Sequence, residues 1–570
     1  MPADADRLKV VLCWHMHQPD YRGPEHSDYQ LPWVYLHGIK DYVDMAAHLE
    51  DNPAARAVVN FAPVLLEQID DYAAQIRAWL ADGTRIRDPL LAALAGPGLP
   101  QGEYTRRDLV YACLRVNEAQ LINRFPAFRK LADLAGQLQD HPECLSYLSD
   151  QYFVDLLVWY HLAWMGESVR LTDLRVESLQ HKGRDFDPED RRRLVQLIGE
   201  LIEGIVGRYR RLAETGRVEL SVTPYAHPII PLLLDIESAR EALPNLPLPE
   251  LRHYPDGAAR ARWHIRRGIE VFREHFGCTP NGCWPSEGAV SDAALRLLEE
   301  EGLRWAASGQ QVLHNSLQAA WPGMLPAYWP HRAYCVGDGR VAMFFRDDGL
   351  SDLIGFTYAD WHADDAVGNL IDHLEHVAQA TRGNPDAVVA IIMDGENAWE
   401  FYPKNGRYFL SSLYKRLAEH PHLRLTTFSD CVARCVKKPL SLPRLVTGSW
   451  VYGTLSTWIG DADKNRAWDL LCAAKSSFDL SMASGRLDDT ARAAATAQLA
   501  RCESSDWFWW FGAYNPEATV ATFDRLFRAH LARLYRLLGL PPPATLDAPI
   551  SVGSGDAEPG GTMRRAGASI

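Results

Sequence analysis

The stretch Val388-Val389-Ala390-Ile391-Ile392-Met393 and the four residues after it, Asp394-Gly395-Glu396-Asn397, decide the reading of this chain. Six apolar residues in a row, four of them β-branched, describe a strand buried on both faces, as in a parallel sheet. A carboxylate placed just past such a strand is either a helix cap or a group that does chemistry. Working outward, the same grammar recurs. Lys9 to Trp14 runs into His15-Met16-His17-Gln18-Pro19, and Ala57 to Phe61 into a helical pattern from Val64 to Tyr72. Arg217 to Val222 runs into Thr223-Pro224-Tyr225-Ala226-His227-Pro228, and Gly282 to Trp284 into Pro285-Ser286-Glu287. Val341 to Phe345 ends in Arg346-Asp347-Asp348. Ser291 is placed to cap a helix through Glu301, closed by Gly302. Several strands thus deliver polar residues to one edge, which a barrel, complete or incomplete, explains better than an open sheet with one switch point.

Between the second and third strands lies a long helical insertion, about residues 70–215. In its last helix Leu194, Ile198, Leu201, Ile205 and Leu212 keep one face apolar. From Tyr408 the pattern is mainly helical, broken by an aromatic, glycine-rich loop from Gly448 to Asp463. Phe523, Phe527, Leu531, Leu534 and Leu538 mark a final amphipathic helix closed by Gly539. The expected organisation is a catalytic barrel over 1–405, a helical domain over 406–540 and a disordered tail over 541–570.

Composition narrows the function. With 59 Lys plus Arg against 73 Asp plus Glu, the net charge is −14, which repels phosphate backbones and argues against a nucleic-acid partner. No run is apolar for long enough to be a secretory signal or to cross a bilayer, so no membrane partner is expected. The ten cysteines lack paired spacing and read as buried thiols, Cys431 and Cys435 in a helix; the expected compartment is the cytoplasm. Nothing in the sequence sets the oligomeric state. The 18 tryptophans exceed ordinary usage, and flat rings serve both cores and sugar-binding sites.

The chain lacks a GxxxxGK[ST] phosphate loop, a GxSxG elbow and an HExxH helix. What remains is carboxylates at strand ends, Glu287 and Asp394 above all. Glycoside cleavage needs such a pair: one acid protonates the leaving oxygen, and the other attacks or stabilises an oxocarbenium-like centre.

Five segments resemble, in order, the sequence regions of glycoside hydrolase family 57: His15-Met16-His17-Gln18-Pro19; Gly216-Arg217-Val218-Glu219-Leu220 with Tyr225 and His227; Gly282-Cys283-Trp284-Pro285-Ser286-Glu287; Asp394-Gly395-Glu396-Asn397-Ala398-Trp399; and Gly448-Ser449-Trp450 with Thr457-Trp458-Ile459-Gly460-Asp461. The resemblance implies an α/β fold, an incomplete (β/α)7 barrel with a helical C-terminal domain. It implies a retaining α-amylase-like enzyme acting on α-1,4-glucans (glycogen, starch or maltodextrin), or a 4-α-glucanotransferase or branching enzyme on the same site. Glu287 would be the nucleophile and Asp394 the acid/base, with no cofactor and no metal. His15, His17, Gln18, Glu219, His227, Trp284, Arg346, Asp347, Glu396, Trp399, Trp458 and Asp461 would bind the sugar.

Two other readings compete. His15-x-His17 at a strand end suits a zinc-dependent hydrolase, with Asp347, Asp348, His227 or Asp394 as a further ligand. A non-catalytic glucan-binding protein on the same fold is the second. Cys283, four residues before the expected nucleophile, raises the expectation of oxidation-sensitive activity.

Overall fold

The computed structural model describes residues 7–23, 28–96, 98–99, 103–138, 141–434 and 439–555. Its strands are β1 (Leu8–Met16), β2 (Ala57–Phe61), β3 (Val218–Val222), β4 (Gly282–Cys283), β5 (Trp305–Gly309), β6 (Tyr334–Val336), β7 (Ala342–Arg346), β8 (Val388–Asp394), β9 (Leu423–Leu425) and β10 (Leu440–Leu442). Seven of them, β1-β2-β3-β4-β5-β7-β8, run parallel and close into a barrel. Closure is slender. β7 and β8 meet only at Arg346 and Ala390, where the Asp347 amide donates to the Ala390 carbonyl at 2.8 Å. The Arg346 Nε adds a bond to the Ile392 carbonyl at 2.9 Å.

The two-residue period of each strand sorts its side chains between an inner and an outer core. Val11, Cys13, Val58, Trp284, Trp305, Ala307, Phe344, Ala390 and Ile392 fill the barrel with Phe428. Val10, Leu12, Trp14, Val59, Val389 and Ile391 face outward into the larger core shared with the helices. Counting two residues on from Cys13, Val58 and Ile392 places His15, Asn60 and Asp394 at the inner, C-terminal mouth. The register agrees, with His15 opposite Asn60 on one side and Asp394 on the other.

The insertion is helical throughout its major elements, from Pro63–Asp82 to Pro188–Glu214. The latter opens on a capping box between Asp187 and Asp190 with Pro188 in its first turn. Ile198, Ile202, Ile205, Tyr209 and Leu212 bury its inner face, while Leu201 sits half-buried at the margin. Gly199 permits the close approach to the helix Pro63–Asp82, since a Cβ there would lie 2.6 Å from Ile76.

Two expectations need correction. Structure tied to the barrel continues past residue 405: β9 pairs with β1 through Leu423–Leu425, and β10 extends the β6–β7 edge. Residues 541–555 are packed, not disordered. Leu546 and Ile550 are buried, the Ile550 amide donates to Asp524 at 2.7 Å, and Ser551 Oγ accepts from the Gly512 amide. Residues 556–570 and Cys435 lie outside the described residues. The final helix, Glu517–Leu537, buries Phe523, Phe527, Leu531 and Leu534 as its spacing predicts. Among the described residues, no helix is long and apolar enough to cross a membrane.

Candidate active site

A cleft of about 480 Å³ opens over the C-terminal mouth of the barrel. Its floor is His15, Glu287, Arg346 and Asp394; its walls carry Trp33 and Trp164 from before and within the insertion, and Trp450, Trp509 and Trp510 from the C-terminal part.

Glu287 follows Pro285 and Ser286 in a single tight turn, and its own backbone is left-handed (φ 56°, ψ 24°). A non-glycine residue in that region costs free energy, which the surroundings must offset. Trp450 supplies two of the restraints: its backbone N–H donates to the Glu287 carbonyl at 3.1 Å, and its indole Nε1 to Glu287 Oε2 at 3.1 Å. The Gly448 and Val290 backbones bond reciprocally beside them. Gly309 makes room, because a Cβ there would lie 2.6 Å from the Trp450 Cα. Burial, and then the charge of Asp394, push the Glu287 carboxyl up to about 8, against the pull of the Trp450 bond.

Asp394 ends β8 and accepts from Asn397 Nδ2 at 2.9 Å. Burial raises its pKa too, opposed by that hydrogen bond and by nearby cationic charge that includes Arg346. The two carboxyls therefore resist double ionisation, the condition under which one serves as acid and the other as base or nucleophile. Arg346 reaches the cleft as a fixed charge, paired to Asp348 at 2.9 Å and Asp352 at 2.8 Å, with its guanidinium 5.6 Å from the Trp450 ring.

The histidines form a stack at one side. His17 and His227 lie face to face, 3.7 Å between centroids and 12° from parallel. His15 Nδ1 is 2.7 Å from Asn60 Oδ1, and its Nε2 is 3.3 Å from His227 Nε2. Burial lowers His15 to about 3 and holds His227 well below its usual value. Nitrogens of the three rings come within 4.8 Å of one another, the proximity a zinc hydrolase would use. Their directions do not suit a shared ion. Ligand lone pairs lie in the ring plane, and in the stacked pair those planes run side by side instead of converging.

Of the residues expected to bind sugar, His15, His17, Gln18, Trp284, Arg346 and Glu396 line the cleft with Glu287 and Asp394. Glu396 is buried; its Oε1 accepts from the His17 amide at 3.1 Å, from Gln18 Nε2 at 3.2 Å and from Tyr42 OH at 3.3 Å. His227 sits behind His17 instead of on the wall.

Five expected ligands lie elsewhere. Glu219 faces into the barrel near the start of β3, at the opposite end from the cleft. There it accepts from Trp305 Nε1 at 2.7 Å and from the Ser429 amide at 2.9 Å. Asp347 caps the short helix Asp348–Asp352 and pairs with His331 at 3.0 Å. Trp399 is buried against Trp14 and donates to the Gly395 carbonyl. Trp458 is wholly buried, and Asp461 caps the helix Ala462–Ala483. Cys283 is buried as well, and burial pushes its thiol far up, which leaves it unreactive and removes the ground for oxidation sensitivity.

Residues not foreseen complete the site. Asn60 carries no motif, but its place on β2 opposite His15 follows from strand register. Ser505 and Asp506 open the helix Ser505–Trp510: Ser505 Oγ is 2.8 Å from His227 Nδ1, and Asp506 Oδ1 is 2.9 Å from His17 Nε2. The run Ser504-Ser505-Asp506-Trp507-Phe508-Trp509-Trp510 is the one signal that could have flagged them.

A ring-walled cleft holding two buried carboxyls, both raised by burial, is suited to cleaving glycosidic bonds, and fold and site together define a glycoside-active enzyme. The chain belongs to glycosyl hydrolase family 57, whose sequence profile matches residues 11–443. No curated protein matches it in sequence. Solved structures similar to it include a family 57 branching enzyme from Thermococcus kodakaraensis (16% identity, TM-score 0.55, covering 93% of this chain and 90% of that one). The branching enzyme of Pyrococcus horikoshii is 15% identical with a TM-score of 0.57, covering 95% and 93% of the two chains. The α-amylase AmyC of Thermotoga maritima is 14% identical with a TM-score of 0.57, covering 94% and 93%. At such identities the likeness shows a shared fold and nothing finer.

Proposed function

We propose that the protein cleaves α-1,4-glucans with retention of configuration and passes the glycosyl group to water or to a sugar hydroxyl. Glu287 attacks the anomeric carbon while Asp394 protonates the departing oxygen; a covalent glycosyl-enzyme results. Asp394 then takes the proton of the incoming hydroxyl, whose oxygen displaces Glu287. The observation that carries this reading is the pinned geometry of Glu287: a buried carboxyl on a left-handed backbone, held by Trp450, in the cleft that Asp394 also lines. A carboxyl restrained in this way is held at a fixed place in the cleft, as a reacting group must be.

His15, His17, Gln18, Arg346 and Glu396 hold or brace the sugar at the cleavage point, and Trp33, Trp450, Trp509 and Trp510 offer ring faces along the chain's path. The free cysteines of the described residues support a cytoplasmic setting. Maltoheptaose incubated with wild type, Glu287→Gln and Asp394→Asn tests the assignment. Wild type should yield shorter or redistributed α-glucans, and each variant should lose at least ~10³-fold in rate. Products longer than the substrate identify transfer; only shorter ones identify hydrolysis. An inert wild type, or variants as active as wild type, would leave the binding-protein reading in its place.

A further inference from the structure

Each ring of the histidine stack has two nitrogens, and all but one of the six have a protein partner. His15 spends Nδ1 on Asn60 and Nε2 on His227; His227 spends Nε2 on His15 and Nδ1 on Ser505. Both rings are engaged by these contacts; His227 lies under the ring stacked on it, with its Nδ1 3.8 Å from Glu287 Oε1. His17 Nε2 bonds to Asp506, while its Nδ1 is buried and has no partner. His17 lines the cleft.

Asp506 is held in turn. Ser504 Oγ donates to its Oδ2 at 2.6 Å, and the Ser505 amide donates to the His227 carbonyl at 2.9 Å, fixing the first turn of the helix against the stack. A carboxylate oxygen accepts and cannot donate, so the hydrogen of this contact belongs to His17 Nε2. In a neutral imidazole that leaves a lone pair on Nδ1. A second proton at Nδ1 would be a buried donor with nothing to accept it, the costlier arrangement.

We propose that Asp506 is a positioning residue that fixes His17 as its Nε2–H tautomer, so that Nδ1 accepts a hydrogen bond from a sugar hydroxyl in the cleft. Of the three histidines, His17 alone then contacts substrate through a free nitrogen; His15 and His227 brace it. The inference rests on the glycoside reading of the cleft only for the identity of the hydroxyl. It extends the site to a segment beyond residues 11–443, the span matched by the family profile.

Two measurements test it. Neutron diffraction from the unliganded protein should place hydrogen on His17 Nε2 and none on Nδ1, whatever the enzyme's substrate proves to be. Hydrogen on Nδ1, alone or with one on Nε2, overturns the proposal. In kinetics on maltoheptaose, Asp506→Ala should lower kcat/KM by about tenfold or more, the equivalent of one well-placed hydrogen bond. Asp506→Asn, which presents the same acceptor oxygen, should recover most of that loss. An Asn variant as impaired as the Ala variant, with both folded by circular dichroism, would mean that the carboxylate acts through its charge, and would overturn the tautomer account. A wild type that does not act on maltoheptaose would count against the proposed function and leave the diffraction result standing.

Discussion

Replacing Trp450 by Phe removes one atom that matters and little else. The aromatic face that meets Trp284 edge-on (centroids 5.3 Å apart, planes at 77°) and lies under the Arg346 guanidinium is kept, as is the backbone bond to the Glu287 carbonyl. What is lost is the indole N–H that donates to Glu287 Oε2. That bond favours the ionised carboxylate, and a hydrogen bond to a charged group contributes about 1.5–3 kcal/mol. One pH unit corresponds to about 1.4 kcal/mol, so the substitution should raise the Glu287 pKa by about one unit or more above its already elevated position. The sign follows: the nucleophile must be ionised, a higher pKa leaves less carboxylate at pH 7, and activity is lost there but recovers in alkali. The assay is kcat/KM against pH on a maltooligosaccharide, whose acid limb reports the free enzyme. The limb should move to higher pH, with activity at pH 7 down about tenfold or more. An unmoved limb with the same loss at every pH would refute the reasoning, because Trp450 would then act only by packing.

Other predictions concern stability and neighbouring packing. Glu287→Gln should stabilise the fold increasingly as pH rises: the native carboxyl, raised from 4.5 to about 8, binds a proton that the unfolded chain releases, so wild-type stability falls across that window. Melting curves at pH 5 and pH 8 check this, and an equal difference at both would contradict it. Glu503 behaves oppositely. Burial would raise it, but Arg260 and His264 outweigh burial and hold it well below its usual value, so its contribution is present above the ordinary carboxylate range and is lost in acid. Glu503→Gln should cost about 3–5 kcal/mol in urea unfolding at pH 7, since Arg260 is left buried without a counter-charge. Gly309→Ala should displace Trp450 and reduce activity at least as much as Trp450→Phe, with kcat and the near-ultraviolet spectrum as readouts. Chelators should leave activity unchanged, because the stacked imidazoles do not converge on an ion.

Much of the fold could be read from local pattern because the barrel strands are short apolar runs ending in polar clusters. β8 and β1 are unmistakable on that basis, and their register carries His15 to Asp394. β5 was not legible: Trp305-Ala306-Ala307-Ser308-Gly309 is mostly small residues, which carry no strand signal, although all five are buried. At the site, strand-end position singled out Glu287 and Asp394, which both line the cleft, but could not tell which end of a strand a side chain serves. Glu219 and Ser221 share one face of β3, and only depth along the strand separates a barrel-floor carboxyl from a cleft residue. Trp399 and Trp458 show the same limit for aromatics, since a ring platform and a core ring are the same residue type. Asp506 was missed because it lies 489 residues from its partner His17, and no local pattern records a contact of that range.

The central claim is that Glu287 forms a bond to sugar while Asp394 handles the proton. Incubation with 5-fluoro-α-glucosyl fluoride, which slows release of a glycosyl-enzyme, followed by mass spectrometry of the digested protein, tests it directly. The account predicts a stoichiometric adduct on the peptide containing Glu287, absent in Glu287→Gln. An adduct on Asp394 instead, or release of the inverted anomer from an active enzyme that never carries an adduct, would contradict it.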